Sequence, residues 1–456
     1  MKKGILSLAA IAALTTGALQ AKESLADAIT QGKFKGQLRM FYIDRDYDGF
    51  VTTHRASFAA GGHFGYETGA WNGLSVGGVF YTTQTFGIGA DNLPGKGYDP
   101  TLTKRDGSGY TILGEAYLKY VVGNSTFKFG RQRLDTPMAG SDDARMLPNL
   151  FEAYLFTNTD LPDTTLIAAH VMKMAQGTFG NVYKGGGLGA TAGYTLVAPN
   201  DYRNKMGVDD PTGEFVDMGT YAIGKETDGV TVGAAIYKGI PGLKLQAWDY
   251  YAWDILNIVY LQGDYGWNCR LNDEVKMLLS AQYIHENDVG DSYAGDIDSD
   301  YYGLRLKAAW HALSGYIAYS STEEGDDNNQ LGSSIITVWG GMPAFTQGMV
   351  TRHQFFADTD TWKAAGTYKF NDLGVNANAT LYYASFDVGE NNPYNNGKSW
   401  TATESGFDIK YYPESAKNLQ LRFRANFPRD FYDKHATKTP DHVDWDEYRF
   451  IVNYTF

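Results

Sequence analysis

Apolar and polar residues alternate with a period of two along most of this chain, in runs of about 9–11 residues. The run from Phe34 to Asp44 sets Leu38, Met40 and Tyr42 on one face and Gln37 and Arg39 on the other. Similar runs occupy residues 55–67, 73–83, 110–121, 126–132, 150–157, 164–174, 230–238, 243–252, 256–267, 274–284, 301–310, 313–321, 361–370, 375–387, 401–412, 418–427 and 447–456. A side-chain period of two is that of a β-strand, so the pattern predicts eighteen strands. The connections alternate in length. Ala70-Trp71-Asn72, Gly123-Asn124, Asp160 to Asp163, Pro241-Gly242 and Asn371-Asp372 mark tight turns, whereas residues 85–108, 175–228 and 322–360 are long and polar. Short turns at one end and long loops at the other predict an all-β, antiparallel transmembrane barrel, its short end periplasmic and its long end extracellular. An even strand count lets such a barrel close, and closure removes the unpaired edges that lipid cannot solvate. Residues 218–225 read as an extended hairpin arm; as a strand they would make the count odd, so they are assigned to the long loop.

Composition fits this wall. Mean hydropathy is negative, yet 14% of residues are aromatic, with 33 Tyr and 53 Gly. Strands with one apolar and one wetted face give both properties at once. No apolar run has the length of a membrane-spanning helix. The single cysteine, Cys269, excludes an internal disulfide. The formal charge of −13 argues against nucleic acid as a partner. At the N-terminus, Lys2 and Lys3 precede an apolar stretch from Ile5 to Leu14 and a small-residue exit from Thr15 to Ala21. This predicts a secretory signal peptide, residues 1–21, and a single barrel domain, residues 22–456. The final run, EYRFIVNYTF, places Tyr448, Phe450, Val452, Tyr454 and Phe456 on one face; Glu447, Arg449, Asn453 and Thr455 take the other, with Ile451 the exception. It looks like the terminal strand of outer-membrane barrels, which ends in an aromatic residue.

One connection is charged as well as long. The stretch GRQRLDTPMAGSDDARMLPNLFEA, Gly130 to Ala153, holds Arg131, Arg133 and Arg145 beside Asp135, Asp142 and Asp143. A long early loop carrying both signs is expected to fold into the lumen and narrow it. Alternation also turns a basic set inward: Arg39, Arg305, Lys307, Lys363, Lys369, Lys410, Arg422, Arg424 and Arg449. An arginine facing lipid at the midplane costs about 2–4 kcal/mol, which favours that placement. Arg39, Arg422, Arg424 and Arg449 fall on neighbouring strands once the last pairs with the first, and so predict a compact basic wall. Glu115 and Glu152 are expected to face inward as well and, with the loop aspartates, to form an acidic side. Such a transverse field orients zwitterions and draws carboxylates to the basic wall. The plainer reading is that the arginines solvate a wet wall and pair with loop carboxylates.

The early strand containing RMFYIDRDYDG and, above all, GRQRLDTPMAGSDDARMLPNLFEAYLFTN resemble the OprD-type porin family, which includes the major porins of Campylobacter-like bacteria. The resemblance covers most of the mature chain and is specific around Gly130 to Ala153. It implies an eighteen-stranded barrel, often packed as trimers, whose inward third loop faces a ladder of arginines. The loop carries over onto Gly130 to Pro148, and the ladder, by inferred facing, onto Arg39, Arg422, Arg424 and Arg449. Family members pass basic amino acids, peptides or aromatic carboxylates, and the Campylobacter-type members resemble general porins. The partners implied are outer-membrane lipids, lipopolysaccharide and small hydrophilic solutes; no cofactor is expected.

Other chemistry is weaker. Asp296, Asp298 and Asp300 alternate like the start of a calcium loop, but Tyr301 stands where a turn glycine belongs and no bidentate Glu follows at the right spacing. A rim-sited hydrolase would draw on His54, His285 or His353 with Asp288 or Asp358, which no motif organises. An adhesin or structural barrel would have loops that plug the lumen. A sugar channel would need an aromatic slide along the lumen, and most Tyr and Phe are expected to face lipid.

Overall fold

The computed structural model describes residues 24–49, 52–85, 97–104, 106–183, 212–324, 333–392, 397–433 and 442–456. The expected signal peptide lies outside them. Eighteen long strands follow the alternating runs: β1 (Lys33–Gly49), β2 (His54–Glu67), β3 (Leu74–Gln84), β4 (Tyr110–Val122), β5 (Ser125–Gln132), β6 (Leu150–Asn158), β7 (Thr164–Ala175), β8 (Val230–Tyr237), β9 (Leu243–Ala252), β10 (Leu256–Asn268), β11 (Lys276–Asp288), β12 (Asp298–Trp310), β13 (Leu313–Thr322), β14 (Thr359–Lys369), β15 (Ala377–Val388), β16 (Trp400–Tyr411), β17 (Leu419–Arg429) and β18 (His442–Thr455). Each pairs antiparallel with the next, and β18 returns to β1, from Gln37 opposite Thr455 to Gly49 opposite Val443. The barrel is therefore closed. Three short segments, Gly97–Tyr98, Phe215–Asp217 and Tyr432–Asp433, extend the sheet at its rim.

The tight turns sit where expected; Gly123, for example, takes a left-handed φ of 54° between β4 and β5. Outward positions toward the short-turn end are exposed and apolar, as at Leu38, Met40, Leu304, Leu306 and Phe450. Among the described residues no helix is long and apolar enough to cross a membrane.

Residues 218–225 are not an extended arm. Met218–Ile223 form a helix, whose Asp217 cap accepts from the Gly219 and Thr220 amides, and Gly224 ends it with a φ of 74°. Asp before the segment and Gly after it are helix boundary signals. Met218, Tyr221 and Ala222, spaced for one helical face, are buried.

The larger departure from a hollow tube lies toward the long-loop end. The β5–β6 connection, residues 133–149, touches β1 through Arg39 and Asp143, β18 through Arg145 and Glu447, and β9 through a bond from the Met138 amide to the Tyr250 hydroxyl, 3.3 Å. β9 lies half-way round the barrel from the β18–β1 joint, so this loop crosses the interior. The β13–β14 connection also folds inward. Its Ile336 amide donates to Glu286 on β11 (2.7 Å), and its Pro343 carbonyl accepts from Gln282 (2.5 Å). Trp339 joins the inward elements: its carbonyl accepts from the Gly140 amide (3.0 Å) and its indole N–H donates to the Met218 carbonyl (3.2 Å). An apolar core therefore forms inside the barrel from Met138, Phe151, Trp248, Tyr250, Tyr260, Ile284, Tyr301, Trp339, Phe355 and Phe386. Toward the long-loop end many aromatic side chains thus point inward, against the expectation that most face lipid.

Candidate functional site: the pore constriction

The inward β5–β6 loop is shaped by its own polar residues. The Asp135 carboxylate accepts from the Ser141 amide (3.2 Å), and the Thr136 hydroxyl donates to the Ala139 carbonyl (2.6 Å). Arg133 reaches Asp135 at 3.2 Å and Asp143 at 3.4 Å. These three charges remain partly open to solvent. Asp142 turns with a left-handed φ of 37° and pairs with Arg352 of the β13–β14 loop at 3.6 Å.

The far end of the loop is pinned to the barrel joint. Arg39 on β1 donates to both Asp143 oxygens, at 2.6 and 3.2 Å, and to the Arg145 carbonyl at 2.5 Å, and is steadied by Asn453 at 2.9 Å. Burial would raise the Asp143 carboxyl, but Arg39 and Arg133 hold it below the usual aspartate range. Arg145 is fully buried, 3.2 Å from Glu447 and with its guanidinium 5.0 Å from the centre of the Phe179 ring. Glu447 also binds Arg45 at 2.8 Å and Arg449, so one buried carboxylate serves three guanidinium groups.

The expected basic wall thus divides in two. Arg39 and Arg449 are buried clamps, Arg449 held by Glu447 and by Asn426 at 3.2 Å. Lys410, Arg422 and Arg424 gather round one carboxylate, Asp408, at 3.7, 2.5 and 3.7 Å, and stay partly exposed. Arg305 continues this wall, 3.1 Å from the Ser280 hydroxyl and 4.0 Å from Asp264, with the Phe345 ring centre at 4.1 Å. Across the lumen Glu115 faces inward as expected, but it is buried and compensated: it accepts from Tyr81 (2.8 Å) and pairs with Lys35 (3.3 Å) and Lys128 (4.0 Å).

Two expected site residues lie elsewhere. Arg131 and Glu152 pair with each other at 3.4 Å, on the strand face that carries exposed Phe129 and Tyr154. That face is turned away from the lumen, so Glu152 is not a lumen acid and Arg131 is not part of the constriction. An inward Glu152 would, by alternation, turn Phe151 and Ala153 toward lipid; both are instead fully buried, and Phe151 lies inside the barrel with Met138 and Leu134 of the loop. That inverts the assignment of the residues between them.

Glu447, Asp408 and Glu404 were not anticipated. Glu404 on β16 is buried and accepts from three consecutive amides of the β13–β14 loop: Met349, Val350 (3.1 Å) and Thr351 (2.6 Å). The available signal was parity: the alternation that turns Arg449 and Lys410 inward also turns Glu447, Asp408 and Glu404 inward.

A closed barrel narrowed by two wall-anchored loops, with charged side chains left open beside them, can pass small polar solutes and ions. A family model for outer membrane porins of the OprD family matches residues 26–184 and 201–456. The chain belongs to the OprD porin family. It is an outer-membrane channel for small solutes. The porin's fold is similar to solved structures from Pseudomonas aeruginosa. Against the outer membrane protein OpdK it shares 17% identity with a TM-score of 0.71, covering 94% of this chain and 99% of that one. Against OccK9 (OpdG) the values are 18% and 0.72, with the same coverage. A structure of OpdK with vanillate gives 17% and 0.70, covering 93% and 98%. A search of curated proteins found no match.

Among the described residues, the histidines and aspartates considered for a rim hydrolase have separate partners. His353 is buried, stacks on Phe356 and donates to the Phe431 carbonyl at 2.7 Å. Burial lowers its pKa to about 4. Asp358 accepts instead from the Asn391 amide, and Asp288 from Ser292 and the Ile297 amide. His54 pairs with Asp44 at 2.7 Å and His285 with Asp300 at 3.2 Å.

Proposed function

We propose that this porin works by passive diffusion, without turnover, and that its selectivity is set by two facing groups: Arg133, Asp135 and Asp143 on the inward loop, and Lys410, Arg422 and Arg424 on the wall. The carrying observation is the charge balance around Asp408. Three accessible cations share one carboxylate, leaving a surplus of positive charge on that wall, while at the loop edge Asp135 and Asp143 are balanced by Arg133 and Arg39. A solute with both signs of charge is oriented by this arrangement, carboxylate toward the wall. Amino acids, short peptides and small carboxylates fit this field, and the vanillate held by OpdK is an aromatic carboxylate. Passage requires that each contact be weak enough to release, and partly solvated arginines already shared with Asp408 meet that need.

The same reading holds residues 1–21 to be a removable signal peptide. It also takes the porin to be a homotrimer in a lipopolysaccharide-bearing membrane, as the family resemblance implies.

The test is single-channel current and reversal potential in a planar bilayer under a KCl gradient, with and without Arg422→Glu and Arg424→Glu. Steady conductance is expected, with ion preference moving toward cations in the variants. Conductance with unchanged preference would remove the basic wall from the mechanism. No channels from a correctly folded barrel would remove the pore.

A further inference from the structure

A separate group of ligand-type side chains lies at the long-loop rim, on the opposite side of the wall from the pore. On β11 and β12, His285 stands directly opposite Asp300, and Asn287 opposite Asp298. The alternate residues Ile284, Glu286, Ser299 and Tyr301 are buried, with Glu286 bonded to the inward Ile336 amide and Tyr301 packed on Phe355. His285, Asp298 and Asp300 therefore project outward. One ligand atom from each lies within 4.8 Å of the others. One step nearer the short-turn end, the paired Tyr283 and Tyr302 rings sit 5.2 Å apart on the same outer face. The Tyr283 hydroxyl donates to Asp300 at 2.5 Å. Glu323, on the next connection, adds a third carboxylate beside Tyr302. Among the described residues, no lysine or arginine forms an ion pair with Asp298 or Asp300.

This is an outer-wall position where carboxylates converge on an imidazole and, among the described residues, no lysine or arginine pairs with them. One nitrogen and two carboxylate oxygens form a donor set for first-row divalent metals, whose bonds of about 2.0–2.2 Å bring opposite donors to roughly 4 Å. The three donor atoms lie within 4.8 Å of one another, at most about 0.8 Å wider than that. The hydrogen bond from Tyr283 fixes the orientation of one ligating carboxylate, as partners behind metal ligands do. An imidazole donor disfavours calcium, which takes oxygen ligands. The arrangement also differs from the calcium loop considered from sequence: Asp298 and Asp300 take part, His285 from the neighbouring strand completes the set, and Asp296 is not a member.

We propose that His285, Asp298 and Asp300 bind one first-row divalent transition cation, of the zinc or manganese type, on the outer face of the barrel, independently of the solute path. The experiment uses the full barrel refolded in detergent, titrated with Co²⁺ as a spectroscopic probe and then with Zn²⁺. Expected are one saturable equivalent with visible ligand-field bands, displacement of the bands by Zn²⁺, and at least a tenfold loss of affinity in both His285→Ala and Asp298→Asn. Both variants should keep the migration of a folded barrel on unheated gels and the wild-type conductance, because neither faces the lumen. Absence of saturable binding, binding that both substitutions leave intact, or displacement of Co²⁺ by an equal concentration of Ca²⁺ would each overturn the proposal.

Discussion

The two ends of this barrel obey different rules. Toward the short turns, inward positions are polar, as at Gln262, Asp264, Ser280, Arg305, Lys307, Gln420 and Arg422, and outward positions are apolar. Toward the long loops, the same strands turn Tyr260, Ile284 and Tyr301 inward, all fully buried, and place His285, Asp298 and Asp300 outside. The cause is what fills the lumen. Water fills one end; folded loops fill the other and supply an apolar surface to pack against. Alternation in a strand therefore separates buried from wet, and it separates lipid from lumen only where the lumen holds water.

The sharpest way to break this comparison is to attack the buried charges that hold the filled end together. Glu447→Ala would leave Arg45, Arg145 and Arg449 buried without their shared carboxylate. Removing one partner of a buried ion pair costs about 3–5 kcal/mol. The expected result is failure to regain the folded gel band, or a large drop in the urea midpoint followed by tryptophan fluorescence. A change under about 1 kcal/mol would show that the loop does not depend on this joint.

A more local effect is expected at Glu404, where the detached loop can rehydrate its amides. Replacing it with Ala strands the Met349, Val350 and Thr351 amides, and each unsatisfied buried group costs about 1–3 kcal/mol. The loop should detach while the barrel stays closed. Conductance should rise and become noisy, and trypsin should gain access to Arg352. Intact resistance at Arg352 with unchanged conductance would mean that the loop is held by its apolar contacts alone.

The mildest lever is acid at His353. Released into water, its imidazole takes a proton near pH 6.5; docked, it does so near pH 4. Between those values the released loop binds more protons, so docking is favoured above pH 6.5 and weakens as pH falls. By pH 5.5 the loss is about 1.4 kcal/mol. Single-channel records should be noisier, with more frequent excursions to higher conductance, at pH 5.5 than at pH 7.5. His353→Gln, which keeps an amide donor for the Phe431 carbonyl but does not titrate, should flatten the difference. An equal pH response in that variant would assign it to another group.

The sequence made the barrel legible because its constraints are periodic and redundant. All eighteen strands lie where alternation put them, and the β5–β6 loop enters the lumen as its mixed charge implied. Arg133, Asp135 and Asp143 lie on the inward loop, and Lys410, Arg422 and Arg424 gather round Asp408. Arg131 and Glu152 face away from the lumen, because Phe151 is buried beneath a loop rather than in lipid. Ile451, the exception on the polar face of the last strand, has the same explanation: it packs inside with Phe41, Met146 and Leu147. The second inward loop left little trace in the sequence. Its anchor, Glu404, is one carboxylate in a strand of ordinary pattern, and its three partners are backbone amides, which any sequence supplies.

The inward loop also straddles the place where the ring of strands is completed. Asp143 is held by Arg39 on the first strand and Arg145 by Glu447 on the last. The element that narrows the passage is thus also a latch across the closing joint, set from within. A barrel whose ends have met but whose loop has not entered lacks these two fastenings. Shortening the loop to widen the channel would be felt as a weaker ring, and channel width and durability of the wall are coupled through those two ion pairs.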